Sequence, residues 1–487
     1  MGVSVLRVSV LTEPKLEFRA GNKHVDPRVG LTIHGPADAD SPAAPKSIVV
    51  GLVGSSSGIE GARRWLERCR RSIDARHTKP GQENLHLAFP GFNADEAFHS
   101  ELLFDDSLTR EIPDRDLRQL AKSDVSAAVK YGVALYMAAA KSLTDTGRCR
   151  IIVCARPEEL DEEPHGVRAT AEDGEEDEDA PGDNEYLDFH DLLKATALSL
   201  PCPLQLIKRE TWSGKRQQKT GETRPIQDEA TRAWNLHSAL YYKAGGTPWR
   251  LPRLSTDLAT CFIGISFFRS WDATELHTAV AQVFNERGDG VVVRGGTAQI
   301  SKLDRKVHLT EDAAESLLLD ALAEFRRNHG HQPARVVVHK SSSFDEAERT
   351  GFRRVGEKKE IDRVELIWVQ RRGGPRLFRS GQLPPLRGTT LELGHDALLL
   401  YTRGSVEFFR TYPGLYVPRP LLLHAEDKGI DLQAAALEIL GLSKMNWNNA
   451  QLDERDPLTL RTADSVGRIL KYVSVDQEIA TRYGFFM

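Results

Sequence analysis

Residues 186–212 read YLDFHDLLKATALSLPCPLQLIKRETW, and residues 235–249 read NLHSALYYKAGGTPW. The first segment opens with a helix-like pattern in which His190 and Lys194 stand four positions apart. That spacing sets an imidazole and an ammonium on one helical face, one turn from each other. A buried-looking strand follows, Pro203 to Ile207, with Gln205 as its odd polar member. A further helical run delivers Lys243 just before Gly245 and Gly246. Helix, strand and helix in succession predict an α/β layer. A ring, an amide and two lysines converging on one spot have the chemistry to hold a base and a terminal phosphate. Each residue alone is more often a surface lysine or a satisfied histidine. Only the set points to a ligand.

The same rhythm extends towards the N-terminus. Ser47 to Arg71 gives the apolar strand SIVVGLVG, a Gly/Ser turn and the amphipathic helix IEGARRWLERCRR. The turn from Gly51 to Gly58 superficially resembles the glycine fingerprint of short-chain dehydrogenases. That chemistry also needs a ribose-binding acid and a tyrosine–lysine pair. Here Tyr136 is followed by Lys141, the wrong spacing, and no Walker lysine follows the glycines. A nucleotide-dependent oxidoreductase is therefore the weakest alternative. A helix-rich stretch from Leu117 to Leu143 precedes a strand from Cys149 to Cys154. Pro157 to Asn184 is acidic, with seven of the eight residues from Glu172 to Asp179 being Asp or Glu. Such a run cannot bury a core and reads as a disordered loop inserted within the domain (157–184). Leu16 to Pro36 reads as loops and short strands packed on the larger body.

After Trp249 a second unit begins. Strands are expected at 259–268, 290–296, 334–339, 363–369, 397–402 and 421–424, with 274–284 either helix or strand. Helices are expected at 310–327, 431–440 and 465–472. This is a second α/β domain with a mixed sheet.

Totals bound the function. At 487 residues the chain predicts about two or three domains. No apolar run is long enough to span a bilayer, and the opening MGVSVLRVSVLTEP lacks a secretory h-region. Five scattered cysteines without CxxC spacing argue against a disulfide framework or zinc site, and for the cytoplasm. The formal net charge of -5 is concentrated in the acidic run, so a local basic groove remains compatible with it.

Several short motifs occur in a telling order. They are FPGF (89–92), His190…Lys194, CPLQLIKRET (202–211), YYKAGGTPW (241–249) and CFIGISFF (261–268). FNERGDG (284–290), YPGLYVPRP (412–420) and KMNWNNAQLDERDPLTLR (444–461) continue the series. In these the chain resembles the Argonaute family, specifically the short prokaryotic Argonautes, which carry only MID and PIWI domains. The resemblance implies a Rossmann-like MID domain over residues 1–250, including the N-terminal segment and the acidic loop. It implies an RNase H-like PIWI domain over residues 251–487. It implies that His190 stacks on the first guide base, that Lys194 and Lys243 bind the guide 5′ phosphate, and that Gln205 contacts it. It further implies that the carboxylate of Met487 returns to this pocket and, with Gln205, holds Mg2+ at the phosphate. One departure is the segment Ser213 to Arg224, whose Lys215, Arg216 and Lys219 are read as a solvated loop.

Slicing members of the family place an aspartate in a G-I-D pattern on the first PIWI strand and a second in an R-D-G pattern. Here Gly264-Ile265 is followed by Ser266, and the strand ending at His339 runs into Lys340-Ser341. Hydroxyls cannot replace carboxylates around two hard cations. Asp345 and Glu346 read as helix-start acids. The PIWI domain is thus expected to be catalytically inactive. The resemblance then implies the sensor subunit of a prokaryotic anti-plasmid and anti-phage defence complex. It would bind guide RNA, recognise complementary single-stranded DNA and activate an APAZ-containing effector with a sirtuin-like, TIR or nuclease domain. A heterodimer, assembling further on activation and depleting NAD in abortive infection, is the implied form. The alternative is a guide-dependent endonuclease with an atypical PIWI site.

Overall fold

The computed structural model describes residues 6–160, 187–217, 223–252, 258–271, 276–284, 290–414, 416–474, 477 and 480–487. The expected acidic loop from residue 161 onward, Lys219 and the centre of FNERGDG lie outside the described residues.

Short strand β1 (Val8–Val10) comes first in the chain. A five-stranded parallel sheet follows, made of β2 (Ser47–Gly54), β3 (Glu101–Leu103), β4 (Thr109–Glu111), β5 (Ile151–Ala155) and β6 (Leu204–Ile207). β3 and β4 pair with successive halves of β2, β5 lies on its other side, and β6 pairs with β5. Helices α1 (Ser56–Arg68), α2 (Val125–Thr144), α3 (Phe189–Ala197) and α4 (Glu229–Lys243) cover it. Alternate strand residues explain the two covered faces. Val53, Ile152, Cys154 and Leu204 face Val133, Tyr136 and Leu193 of α2 and α3. Ile48, Val50, Leu52 and Val153 face Ala62, Leu66, Trp234 and Leu240 of α1 and α4. The Gly51–Gly58 turn has a packing reason. A Cβ at Gly54 or Gly58 would approach Ala155 Cβ to 2.9 or 3.0 Å, so the glycines let α1 settle onto β5.

The second sheet has ten strands: β7 (Thr260–Arg269), β8 (Leu276–Phe284), β9 (Gly290–Ile300), β10 (Val307–Leu309), β11 (Arg335–Lys340), β12 (Arg363–Gln370), β13 (Thr389–Glu392), β14 (Ala397–Leu400) and β15 (Leu421–Ala425), joined by β1. Their order is β1-β13-β14-β15-β12-β11-β7-β8-β9-β10. β7, β11 and β12 run parallel, and the other pairs are antiparallel. Helices α5 (Glu311–His329), α6 (Glu346–Lys358), α7 (Leu432–Leu442) and α8 (Leu458–Leu470) pack on it. α5 starts where the Thr310 hydroxyl accepts from Ala313 N and stops at Gly330, whose φ of 78° suits glycine. Of the segment 274–284, ambiguous by sequence, the described residues 276–284 are strand β8.

Four expectations change. Residues 27–34 form a helix, because the Asp26 carboxylate accepts from Arg28 N and Val29 N and Pro27 takes the first helical position. α8 begins at Leu458, seven residues earlier than read, directly after Pro457. Lys215–Gln217 pairs with Thr223–Pro225, so the expected solvated loop contains a two-stranded ribbon. Finally, β1 pairs with β13, placing the N-terminal strand on the second sheet and not with the rest of residues 1–250. A pairing 381 residues apart, such as Ser9 with Thr390, leaves no local signal.

The two layers share one core. Trp249 donates from Nε1 to Lys444 O at 3.1 Å, and Trp447 donates back to Trp249 O at 3.3 Å. Tyr242 stacks on Trp447 with centroids 4.1 Å apart and planes within 7°. Tyr483, Phe486 and Met487 are buried in the same cluster.

Candidate nucleic-acid interface

Helix α3 owes its start to Asp188, whose carboxylate accepts from Asp191 N at 2.8 Å. Phe189 and Leu193 pack against α2, which turns Lys194 inward. Lys194 is 2% exposed and Lys243, the last residue of α4, is 1% exposed. Both ammonium groups donate to the same two oxygens. Lys194 Nζ reaches Leu204 O and lies 2.5 Å from the main-chain oxygen of Met487. Lys243 Nζ lies 2.9 Å from Leu204 O and also reaches Met487 O. Among the described residues, neither has a carboxylate side chain as a salt-bridge partner.

Burial disfavours the charged form of each amine. Lys194 is brought down to about 8 by desolvation, only partly offset by its hydrogen bonding with Lys243 and by Cys154 and Asp191 nearby. Lys243 falls well below the ordinary lysine value through desolvation and then the charge of Lys194. Two amines this deeply buried carry a charge only at a cost. They fit an anion with several acceptor oxygens.

Gln205 follows Leu204 on β6 and is half-buried. Its Nε2 donates to Leu206 O at 2.9 Å, while its Oε1 is buried and makes no hydrogen bond. His190 does not join the lysines. Its ring is half-exposed at the rim, and its Nδ1 lies 2.8 Å from Asp191 Oδ1. Burial works to raise the Asp191 carboxyl, but His190, with Arg468 and Lys471 behind it, brings it below its ordinary value. The sequence reading missed two arginines at the C-terminal end of α4. Arg150 donates from Nε to Ala244 O at 2.9 Å, and Arg482 donates from Nη2 to Tyr242 O at 2.9 Å. They extend the positive character of the pocket. Nothing local in either sequence neighbourhood announces them.

Gln205 and Met487 were expected to hold Mg2+. The Met487 oxygen already takes two ammonium groups, and Gln205 Oε1 is a single neutral donor. These two alone do not complete the shell of a hard divalent ion, which would take phosphate and water oxygens as well.

A second constellation lies in the middle of the ten-stranded sheet, where β7 and β11 adjoin. Ile265 of β7 pairs with Lys340 of β11, which brings Ser266 and Ser341 to adjoining strand ends. Ser266 Oγ donates to Asp464 Oδ1 of α8 at 2.6 Å, and the Arg371 guanidinium donates to Asp464 Oδ2. Asp456 lies 3.4 Å from Arg371 Nε. Asp464 and Arg371 were not singled out by sequence; both become legible only when α8 is laid across β7. Asp345 caps α6 in a capping box with Glu348, and Glu346 occupies the first turn. Glu348 is itself buried and holds Lys340 Nζ at 2.5 Å and His308 Nδ1 at 3.0 Å.

A Piwi domain model matches residues 182–411, a stretch that takes in Lys194, Gln205, Lys243 and Ser266. The fold matches Clostridium butyricum Argonaute bound to a guide DNA and a 19-mer target DNA, with TM-score 0.62, 15% identity and 96% of this chain covered. The fold is Argonaute-like, and the chain carries a Piwi domain. Drosophila Piwi is similar at TM-score 0.61 and 12% identity, covering 98% of this chain. Aa-Ago with externally bound siRNA gives 0.58 and 13%, again covering 98%. This chain covers 53%, 56% and 55% of those three structures, about half the length of each. No curated protein matches by sequence. Within the Piwi domain, the mixed sheet around β7, β11 and β12 is consistent with the expected RNase H-like arrangement.

Proposed function

We propose that this chain anchors the 5′-phosphorylated end of a guide RNA at Lys194 and Lys243 and presents the guide to complementary single-stranded DNA without cutting it. The observation that carries this reading is the pair of buried ammonium groups with no carboxylate side chain between them. A 5′ phosphate brings up to two negative charges and several acceptors to a site that already holds the positive ones. Gln205 Oε1 faces the ligand's side of β6 as a further polar contact, and His190 at the rim offers a ring for the first base. The lysines supply positive charge whether or not Mg2+ joins the phosphate.

The reading of a non-cleaving PIWI domain draws on the second constellation. Two-metal hydrolysis needs carboxylates on adjoining strands. Here serines occupy the two strand positions, and the neighbouring acid Asp464 is engaged by an arginine. Apart from β1, residues to about 250 act as the MID domain and those after it as the silent PIWI domain. Chemistry then falls to a separate APAZ-containing effector in the cytoplasm, forming a heterodimer with this chain. The exposed Val8 and Val10 on edge strand β1, with Leu6 just before it, offer such a partner a place to add a strand. No helix among the described residues is long and apolar enough to cross a membrane.

The test is direct binding of one RNA with a 5′ phosphate or a 5′ hydroxyl, with and without EDTA. The expected result is a phosphate preference that survives EDTA and disappears in the Lys194→Ala/Lys243→Ala variant. Equal affinity for both ends in the unaltered protein would sink the reading. Target cleavage with Mn2+ that is lost on Asp464→Asn would instead favour the endonuclease.

A further inference from the structure

The exposed large apolar side chains include Trp271, 38% exposed just beyond the end of β7. Its surroundings are built, not incidental. Trp271 N donates to Lys471 O at 3.0 Å, so the residue is pinned to the end of α8. The Tyr472 ring lies 5.3 Å from it, tilted by 34°. The Lys471 ammonium stands 4.7 Å from the Tyr472 centroid and 5.8 Å from that of Trp271. Tyr472 in turn accepts from Asp188 N at 3.3 Å, and Asp188 caps α3, the helix that carries His190 and Lys194.

We infer that Trp271, backed by Tyr472 and Lys471, is a stacking platform for a base of the guide strand beyond its anchored 5′ nucleotide. The inference rests on the 5′-phosphate reading for the identity of the strand, and on its own geometry for the platform. An indole face at the surface with an ammonium at its edge matches a nucleotide, whose base stacks and whose phosphate pairs with the cation. The same charge disfavours a cationic peptide, since Arg468 and Lys471 make this corner basic. The nearby acids are engaged: Asp188 caps α3, and Asp191 holds His190. The platform is also fixed relative to the phosphate pocket, because Tyr472 touches the first residue of the anchoring element. A base held there pre-orders the strand for pairing.

The experiment uses the full chain with Trp271→Ala and Trp271→Phe, and a guide RNA carrying a single abasic site at each of its first several positions. Trp271→Ala is expected to weaken binding of the intact guide about tenfold, in line with the loss of one base–aromatic stack, and Trp271→Phe to restore most of it. At one position, removing the base weakens the unaltered protein and leaves Trp271→Ala unaffected. That non-additivity is something a merely structural tryptophan would not produce. Full affinity in Trp271→Ala, or additive losses at every position, would overturn the platform. The two readings fail separately. Trp271→Ala keeps its preference for a 5′ phosphate if the lysine pocket is right, and base coupling at Trp271 is measurable even if that preference is absent.

Discussion

Binding of a phosphorylated guide should take protons up from solution, and the number can be worked from the pocket. In the free protein Lys194 is held at about 8 against an ordinary value of 10.5. That drop corresponds to about 3 kcal/mol of lost preference for the ammonium. A phosphate dianion against the amine restores the charged form and raises its pKa again. Below about pH 8 the amine is already protonated, so its contribution to binding is fully present. As pH rises from there towards the pKa in the complex, affinity for the phosphorylated guide falls, by up to about tenfold per pH unit for each proton taken up. A 5′-hydroxyl guide lacks the dianion and keeps a flat profile. The free protein behaves oppositely: its Lys194 pKa is depressed, so its stability rises with pH between about 8 and 10.5 as the unfolded chain holds the extra proton. Calorimetric titration at about pH 9 in two buffers of different ionisation heat counts the protons. Between about one and two are expected for the phosphorylated end, because Lys243 is depressed as well, and none for the hydroxyl. Equal counts for both ends, or a phosphate preference that does not change across this range, would refute the reasoning.

Three further outcomes follow from named contacts. Lys243→Met removes a deeply buried polar amine, so the free protein should gain about 1 kcal/mol in denaturant unfolding while losing its phosphate preference. Gly264→Ala would place a Cβ 2.0 Å from Thr459 O, main chain that cannot rotate away. It should cost about 3 kcal/mol in the same measurement, and wild-type stability would show that α8 moves freely. Glu348→Gln leaves the fully buried Lys340 without its charge partner. A loss of about 3–5 kcal/mol is expected, and a loss under about 1 kcal/mol would mean the pair contributes little.

The layers were legible in the sequence because burial on two faces writes long apolar runs, as in β2, β5 and β11. Capping residues marked several helix starts, among them Thr310, Asp345 and Asp431. Asp26-Pro27 is an equally good start signal, passed over because the surrounding Gly and Pro residues suggested loops. The helical spacing of His190 and Lys194 was right about the turn between them, but spacing cannot say how deep each side chain goes. One ends at the rim and the other in the core. Contacts between distant segments left no local signal. The Met487 oxygen meets Lys194 from 293 residues away, a return that only the family resemblance implied, and Asp464 meets Ser266 across 198. No periodicity encodes such meetings; they follow from how α8 and the tail fold back.

Helix α8 runs 13 residues, about 20 Å. Near its start, Thr459 lies on the bare backbone of Gly264 and bonds His339 through its hydroxyl at 2.9 Å. Midway, Asp464 clasps Ser266 and Arg371. Just past its end, Tyr472 touches the cap of α3. With no side chain at Gly264 to cushion the contact, the helix behaves as a connecting rod. One helix thus ties the parallel strands of the ten-stranded sheet to the cap of α3, so the two ends are held in a fixed relation.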